Sequence, residues 1–164
     1  MCGGEAVPAE LRRLTYELLP NTTMNNLYGP TETTIHVTHW PCANDDRNLL
    51  PIGRPISATS AYVLDNGLNL VPQGVAGELY IAGRALARGY LSRPDLTADR
   101  FVADPISCDG SRMYRTGDLV RWNEEGMLEY LGRIDDQIQL RGFRIELGEI
   151  EAQLTRQQSV QEAA

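Results

Sequence analysis

Short segments typical of β-strands, each bounded by turn residues, fill the middle of the chain and constrain its fold more than any other feature. Residues 123–126, Asn-Glu-Glu-Gly, form a plausible hairpin connection between two such segments. Apolar side chains recur in four segments, residues 61–64, 77–82, 113–122 and 127–134. Short strands in succession favour a small barrel or a curled sheet. We therefore predict a β-rich unit from about residue 50 onward.

Helical segments lie on both sides of this unit, so the predicted fold class is mixed α/β. Leucines recur at helical spacing in residues 8–18, and apolar residues do so from Glu146 onward. Short helices are also predicted at residues 85–90 and 95–101. Further strands are predicted at residues 24–27, 33–40 and 137–140, and residues 51–55 open the region of short strands and turns.

The composition is that of a globular protein and argues against several functional classes. The 164 residues are 42% hydrophobic and carry a net charge of −7, which opposes binding to nucleic acid. No apolar run approaches the roughly 20 residues that cross a bilayer, and no secretory signal is visible. Cys2, Cys42 and Cys108 are odd in number and form no CxxC pair. A reduced, cytoplasmic setting without zinc or disulfides is therefore expected.

One run, Tyr28-Gly29-Pro30-Thr31-Glu32, combines groups that suit a nucleotide. Gly29-Pro30 bends the backbone and presents the next two side chains from a loop between strands. The Thr31 hydroxyl can donate to a phosphate oxygen, and the Glu32 carboxylate is a hard ligand for Mg²⁺. The Tyr28 ring can stack on an aromatic base. Taken alone, the run is explained equally well as a polar β-turn with a buried tyrosine.

Two later charged residues could serve either a ligand or the fold. Asp118 lies between two strand segments, where its carboxylate could accept hydrogen bonds from both hydroxyls of a ribose. It could instead satisfy backbone N–H groups of a turn. Arg133 could pair with a phosphate or a ribose oxygen, or form a surface salt bridge with Asp135 or Asp136.

The two histidines of the chain, His36 and His39, lie three apart in the predicted strand 33–40. Side chains at that spacing on a strand point to opposite faces of the sheet. The two histidines are therefore not expected to share a metal ion.

Four motifs in order resemble the nucleotide-binding core of adenylate-forming enzymes. They are NLYGPTETT at residues 26–34, YRTGD at 114–118, GRID at 132–135 and RGFR at 141–144. The resemblance is to the adenylation (AMP-binding) domain of nonribosomal peptide synthetases. Residues 83–94, GRALARGYLSRP, are similar to a motif of that branch rather than of fatty-acyl ligases. The implied fold is the mixed α/β fold of this superfamily.

The resemblance assigns nucleotide-binding roles residue by residue. It implies that Thr31 touches the α-phosphate and that Glu32 holds Mg²⁺, and these two form the implied catalytic pair. Tyr28 would lie against the adenine of ATP or AMP. The further nucleotide contacts that it implies are Gly4 and Asn26 at the adenine, Asp118 at the ribose diol, and Tyr130 and Arg133 near the ribose.

A substrate pocket and a hinge are implied in the same way. Asp135 matches the hinge about which a small C-terminal domain swings, and Gly142 matches a loop that faces a phosphopantetheine arm. The implied boundaries are residues 1–134 for the later part of the large domain and residues 135–164 for the hinge and the start of the small domain. The residues matched to the side-chain pocket are Met1, Gly3, Leu27, Ile35 and His36.

The resemblance also implies that the chain is a fragment of a larger enzyme. The parent would form aminoacyl-AMP from an amino acid and ATP and load it onto a phosphopantetheine carrier. Its partners would be peptidyl carrier and condensation domains, with neither nucleic acid nor membrane. The family's phosphate loop and catalytic lysine match nothing in the chain, which contains no lysine. The isolated chain is therefore expected to be inactive. An acyl- or aryl-CoA ligase of the same superfamily, or a non-catalytic nucleotide-binding remnant, stays an alternative.

Overall fold

A computed structural model describes residues 2–3, 7–45, 47–135, 137–140, 143–157 and 159–162. Met1, Gly4 and Gly142, to which the resemblance gives roles, lie outside these residues. None of the described helices is long and apolar enough to cross a membrane. The helices are α1 (Ala9–Leu18), α2 (Pro94–Arg100) and α3 (Leu147–Thr155). The strands are β1 (Asn25–Tyr28), β2 (Thr38–Pro41), β3 (Pro51–Pro55), β4 (Thr59–Leu64), β5 (Gly77–Gly83), β6 (Phe101–Ala103), β7 (Arg112–Trp122), β8 (Leu128–Arg133), β9 (Ile138–Leu140) and β10 (Phe143–Ile145).

Eight of the strands form one sheet, and its neighbours pair antiparallel. The hydrogen-bonded order is β1-β2-β3-β8-β7-β5-β4, and β6 pairs with β7 beside this path. The predicted hairpin between β7 and β8 is confirmed, because the amide of Gly126 donates to the carbonyl of Asn123 at 3.0 Å. β9 and β10 pair with each other in a separate sheet of two strands.

A single apolar cluster joins distant parts of the large sheet. Val37, just before β2, lies in the same buried cluster as Val63 of β4. β2 and β4 stand near opposite ends of the strand order, so a flat sheet would keep these two side chains apart. The sheet therefore curls around the cluster, as predicted for this region. Ile52, Leu79, Ile81, Val120 and Leu128 complete the cluster.

Helix α1 packs through side chains with polar ends rather than through its leucines. Tyr16 packs against a second apolar cluster, and its hydroxyl donates to the carbonyl of Cys42 at 2.5 Å. Arg12 is only 3% exposed and forms an ion pair with Asp45. Leu18, by contrast, is 74% exposed. The leucine spacing thus predicted the helix but did not identify the face that packs on the sheet.

The predicted strand 33–40 is wrong in its first half. Residues Thr31–Thr33 form a single 3-10 turn, and β2 begins only at Thr38. Between them, Thr34 and Ile35 have φ angles of 63° and 76°. Positive φ is sterically unfavourable for residues branched at Cβ. The β-branched residues of this run favour a strand, but the two positive φ angles interrupt the extended backbone before β2.

The predicted helix 85–90 is also wrong, because these residues lie outside any helix. Gly89 has a φ of 145°, which is incompatible with a helical turn. The amide of Ala87 donates to the carbonyl of Glu32 at 2.7 Å instead of to a helical partner. The predicted helix 95–101 is confirmed within one residue as α2, and β6 directly after it was not predicted.

Gly53 permits the close approach of β3 to β2. Its φ is 93°, and a Cβ added there would lie 2.1 Å from the carbonyl oxygen of His39. The register of β3 against β8 also shifts between Pro51 and Gly53. This position therefore requires both an unusual backbone conformation and the absence of a side chain.

We expect Gly53→Ala to lower the free energy of unfolding by about 2–4 kcal/mol, since it adds backbone strain and steric overlap. Gly74 has a comparable φ of 83° but open space around its Cβ position. Gly74→Ala should therefore cost only the backbone strain, about 1 kcal/mol. Urea denaturation of the two variants measures the difference, and equal losses would contradict the steric explanation.

Candidate functional site

Asp118 lies at the centre of a buried hydrogen-bonded network. It is 5% exposed, and its position in β7 pairs with Arg133 in β8. Arg133 Nη1 donates to Asp118 Oδ1 at 2.8 Å. The hydroxyl of Tyr28, at the end of β1, donates to Asp118 Oδ2. Three predicted nucleotide-contacting residues that are far apart in sequence therefore meet at one carboxylate.

The backbone of β7 is shaped to place this carboxylate. The Thr116 hydroxyl donates to the carbonyl of Leu79 at 2.7 Å and accepts from the amide of Asp118 at 3.0 Å. Gly117 between them has a φ of 76°, and a Cβ there would lie 2.6 Å from Arg133 Nη2. Its amide donates to Glu78 Oε1 at 3.1 Å. The Thr-Gly-Asp sequence thus turns the strand locally so that the arginine can lie across it.

Asp135 joins the same network through a two-point contact. Arg133 Nε and Nη2 donate to its two carboxylate oxygens at 2.6 and 2.7 Å. Arg100 of α2 lies 3.6 Å from Asp135 Oδ2. The hydrogen bond from Arg133 holds the pKa of Asp135 below its ordinary value. The predicted hinge residue is therefore an ionised partner of a predicted nucleotide-contacting residue.

Burial dominates the electrostatics around Asp118. Burial raises the pKa of Asp118 above its ordinary value, and the hydrogen bond from Tyr28 and the charge of Arg133 oppose this shift. Burial raises the pKa of Tyr28 well above its ordinary value, and the nearby Asp118 charge adds to the shift. The pKa of Tyr130 is also raised, first by burial and then by the Asp118 charge. Tyr130 therefore belongs to the same neighbourhood.

Asp118 retains capacity to accept further hydrogen bonds. An ionised carboxylate offers about four lone-pair positions on its two oxygens. The contacts with Tyr28 and Arg133 use one position on each oxygen. The chemistry of the group therefore allows one additional donor at each oxygen, which is the number that a ribose diol supplies.

Glu32 lies in the 3-10 turn that follows Tyr28 and Pro30. It is 7% exposed, and the hydroxyl of Tyr90 donates to its Oε1 at 2.6 Å. Thr31, the preceding residue, is exposed. Burial raises the pKa of Tyr90 well above its ordinary value, and the bond to Glu32 adds to the shift. The tyrosine is therefore a protonated donor at neutral pH.

The donor set at Glu32 fits a divalent cation that brings most of its own ligands. Mg²⁺ is commonly bound through one or two carboxylates together with phosphate oxygens and water. No group of three or more His, Cys, Asp or Glu suited to a metal occurs among the described residues. A single buried carboxylate such as Glu32 is a donor that fits this mode of binding.

The histidines are arranged differently from the prediction. His36 lies in the bend before β2 rather than on a strand, whereas His39 lies on β2. The Nε2 atom of His39 is 2.7 Å from Asn25 Oδ1. The argument from strand alternation therefore does not apply to this pair.

The predicted pocket residues fall at two places beside β1. The amide of Leu27 donates to the carbonyl of Cys2 at 2.8 Å, and a Cβ on Gly3 would lie 2.8 Å from the carbonyl oxygen of Leu27. A Cβ on Gly29 would lie 2.5 Å from the Cα of His36. Ile35 is 74% exposed. The structure thus places Gly3 against Leu27 of β1. It also places His36, in the bend before β2, against Gly29.

Asn26 is used by the fold itself. It is 5% exposed, and its Nδ2 donates to the carbonyl of Pro51 at 2.8 Å. This bond ties β1 to β3 across the intervening β2. A role for Asn26 in reading adenine stays a prediction.

Three residues that were not predicted, Glu78, Arg100 and Tyr90, form contacts at the candidate site. Glu78 holds the Gly117 amide and pairs with Arg115 at 3.0 Å. Arg100 approaches Asp135, and Tyr90 holds Glu32. The only available signal was the position of Tyr90 in the GRALARGYLSRP motif, but that segment was predicted to be a helix. Glu78 and Arg100 follow from tertiary contacts alone.

Comparisons with known proteins identify the family to which the chain belongs. The family model described as AMP-binding enzyme matches residues 1–91. The chain is 55% identical over 164 residues to a dimodular nonribosomal peptide synthase of Bacillus subtilis, covering all of the chain and 7% of that protein. It is 56% identical over 153 residues to phosphinothricin tripeptide synthetase PhsB of Streptomyces viridochromogenes, covering 93% of the chain and 13% of that protein. The chain therefore spans only a small part of these relatives.

Solved structures show the same relationship. A nonribosomal peptide synthetase protein containing adenylation and PCP domains superposes with a TM-score of 0.91 at 32% identity, covering 99% of this chain and 33% of that chain. A four-domain nonribosomal peptide synthetase bound to AMP and glycine superposes with a TM-score of 0.73 at 42% identity, covering 98% of this chain and 12% of that chain. The chain belongs to the AMP-binding enzyme family and corresponds to part of a nonribosomal peptide synthetase adenylation domain.

Proposed function

We propose that the protein carrying this chain activates an amino acid with ATP, forms an aminoacyl adenylate and pyrophosphate, and transfers the acyl group to the phosphopantetheine thiol of a carrier domain. The observation that carries the proposal is the hydrogen-bonded network around Asp118. Tyr28 and Arg133 donate to Asp118, and Arg133 also donates to Asp135. A similar solved synthetase is bound to AMP and glycine, which supports a nucleotide and an amino acid as ligands.

In this proposal Asp118 accepts hydrogen bonds from the two ribose hydroxyls. Its remaining lone-pair positions and its burial support this role, because a desolvated charged acceptor makes strong hydrogen bonds. Arg133 keeps the buried carboxylate ionised and oriented while Tyr28 presents its ring to adenine. Tyr130 would line the same region, and Asn26 and Gly4 would contact the base.

Thr31 and Glu32 are the proposed groups at the triphosphate. The exposed hydroxyl of Thr31 would donate to the α-phosphate, and Glu32 would hold Mg²⁺. When bound, the cation would neutralise the negative charge that develops on the phosphates as pyrophosphate leaves. The buried position of Glu32 limits its movement and so supports a ligand role.

The remaining predicted residues are proposed to serve the acyl group and its transfer. Gly3, Leu27, Ile35 and His36, with Met1, would line the pocket for the amino-acid side chain. Asp135 would act as the hinge between residues 1–134 and 135–164. The separate sheet of β9 and β10 supports a boundary at this point. Gly142 would admit the phosphopantetheine arm of a peptidyl carrier domain, and a condensation domain would use the loaded product.

We expect Glu32→Gln to reduce amino-acid-dependent ATP–pyrophosphate exchange by the full-length protein about 100-fold or more, because a charge stabiliser is lost. The matched control is Glu129→Gln, which removes a carboxylate that is 13% exposed and pairs with Arg121 at 2.8 Å outside the site. This control should retain most of the exchange. Exchange only with a fatty or aryl acid, or with no acid tested, would contradict the proposed function.

We expect the protein to bind AMP at least about 100-fold more tightly than 2′,3′-dideoxy-AMP, since each of the two hydrogen bonds to the charged acceptor is worth about 1.5–3 kcal/mol. Asp118→Asn should remove most of this preference. Asp104→Asn is the control, because Asp104 is also 5% exposed but bonds backbone amides of its own loop. Calorimetric titration measures the affinities, and an unchanged preference in Asp118→Asn would exclude its contact with the diol.

We expect the preference for AMP over the dideoxy nucleotide to decrease as pH falls. The raised pKa of Asp118 means that it takes up a proton at a higher pH than an ordinary aspartate, and the protonated form is a poorer acceptor. As pH falls, the preference should therefore begin to decline at a higher pH than it would for an ordinary aspartate, whose pKa is about 4. The phosphate is common to both ligands, so its titration cancels in the ratio. A preference independent of pH would contradict this expectation.

A further inference from the structure

Glu32 is held by a donor from a distant part of the chain. The hydroxyl of Tyr90 donates to its Oε1 at 2.6 Å, and the carboxylate is almost fully buried. A hydrogen bond from a neutral donor to an ionised acceptor is stronger and shorter than a neutral one. The contact therefore restricts the side-chain orientation of the residue proposed to bind the cation.

Tyr90 is itself fixed at several points. Its amide donates to the Thr97 hydroxyl at 2.9 Å, and its hydroxyl lies 3.4 Å from that of Tyr114. Its ring meets Phe101 edge-on, with centroids 5.7 Å apart. A Cβ on the preceding Gly89 would lie 2.5 Å from Thr97 Cγ2, so the close packing requires glycine there. These contacts leave the tyrosine little freedom to move.

Residues 85–90, which we call the strap, also hold the backbone beside Glu32. The amide of Ala87 donates to the Glu32 carbonyl at 2.7 Å. The Thr34 hydroxyl donates to the carbonyl of Ala85 at 2.6 Å. Thr34 and Ile35 adopt positive φ angles, which cost about 1–3 kcal/mol each and persist only when the surroundings enforce them. The hydrogen bonds with the strap help to stabilise these unfavourable backbone conformations.

We propose that Tyr90 is a positioning residue that holds the Glu32 carboxylate in the orientation required by the divalent cation accompanying ATP. The inference rests on the proposed function of Glu32 and adds the group that makes its carboxylate a preorganised ligand. Partners of this kind typically change metal affinity about 10- to 100-fold when removed. Tyr90 need not touch the nucleotide or the cation to have this effect.

The test uses Tyr90→Phe in the full-length protein and measures binding rather than turnover. Calorimetry gives the dissociation constant of ATP in Mg²⁺ and in EDTA, and the ratio of the two reports the coupling between cation and nucleotide. Because the ratio is taken on one preparation, a fraction of misfolded protein does not change it. Tyr16→Phe is the matched control, since it removes a tyrosine hydroxyl that donates to the carbonyl of Cys42 far from Glu32 in sequence and outside the network.

We expect Tyr90→Phe to lower the ratio about tenfold, with ATP affinity in EDTA unchanged, and Tyr16→Phe to leave both values unchanged. Glu32→Gln should lower the ratio at least as much. A ratio in Tyr90→Phe equal to that in Tyr16→Phe, with Glu32→Gln still defective, would overturn the inference and leave the proposed function intact. An unchanged ratio in Glu32→Gln, or no ATP binding by the unmodified protein, would overturn both.

A second variant covers the case in which Tyr90→Phe fails to fold. Thr34→Val keeps the branched shape at Cβ but removes the hydroxyl that bonds the Ala85 carbonyl. Because this loosens the strap without altering Tyr90, we expect a decrease of the ratio in the same direction, about threefold. An unchanged ratio in this variant, with Glu32→Gln still defective, would overturn the inference that contacts from the strap, including that of Tyr90, position Glu32.

Discussion

The contact on which the candidate site depends is the guanidinium of Arg133 between two carboxylates. It donates to Asp118 on one side and to both oxygens of Asp135 on the other. An ionised carboxylate as buried as Asp118 is unfavourable unless a cation and hydrogen bonds compensate for its desolvation. The planar fork of arginine meets both acids at once, which the point charge of a lysine would not do. Gly117 leaves the space through which it passes.

A second set of long-range contacts stabilises the turn at Gly29-Pro30 after β1. The chain turns at Gly29-Pro30, continues through one 3-10 turn and then adopts two successive positive φ angles. Two donors of the strap, the amide of Ala87 and the hydroxyl of Tyr90, bond the backbone and the carboxylate of Glu32 in this segment. The two halves of the site thus share one arrangement: a buried carboxylate, Asp118 or Glu32, accepts a hydrogen bond from the hydroxyl of a tyrosine that is distant in sequence. Preorganisation of this kind reduces the cost of ordering a ligand's contacts.

The parts of the site that were predictable lie in motifs whose members are close in sequence or in one hairpin. Asp118 and Arg133 face each other because β7 and β8 are joined by the turn at residues 123–126, which the sequence indicates. The approach of Tyr28 to Asp118 was implied only by the family resemblance, since 90 residues separate them. The helix predicted at residues 85–90 failed because Gly89 and contacts with Glu32 outweigh local helical preference.

The sequence by itself identified the family, the positions of most strands and the residues predicted to bind the nucleotide. These depend on residue identity and local spacing, which are legible without coordinates. Only the tertiary structure decided which face of α1 is buried, how residues 31–35 turn, and that Tyr90, Glu78 and Arg100 support the predicted residues. The reason is physical: burial and long-range hydrogen bonds are properties of the assembled sheet, and their energies exceed the small local preferences that a sequence displays.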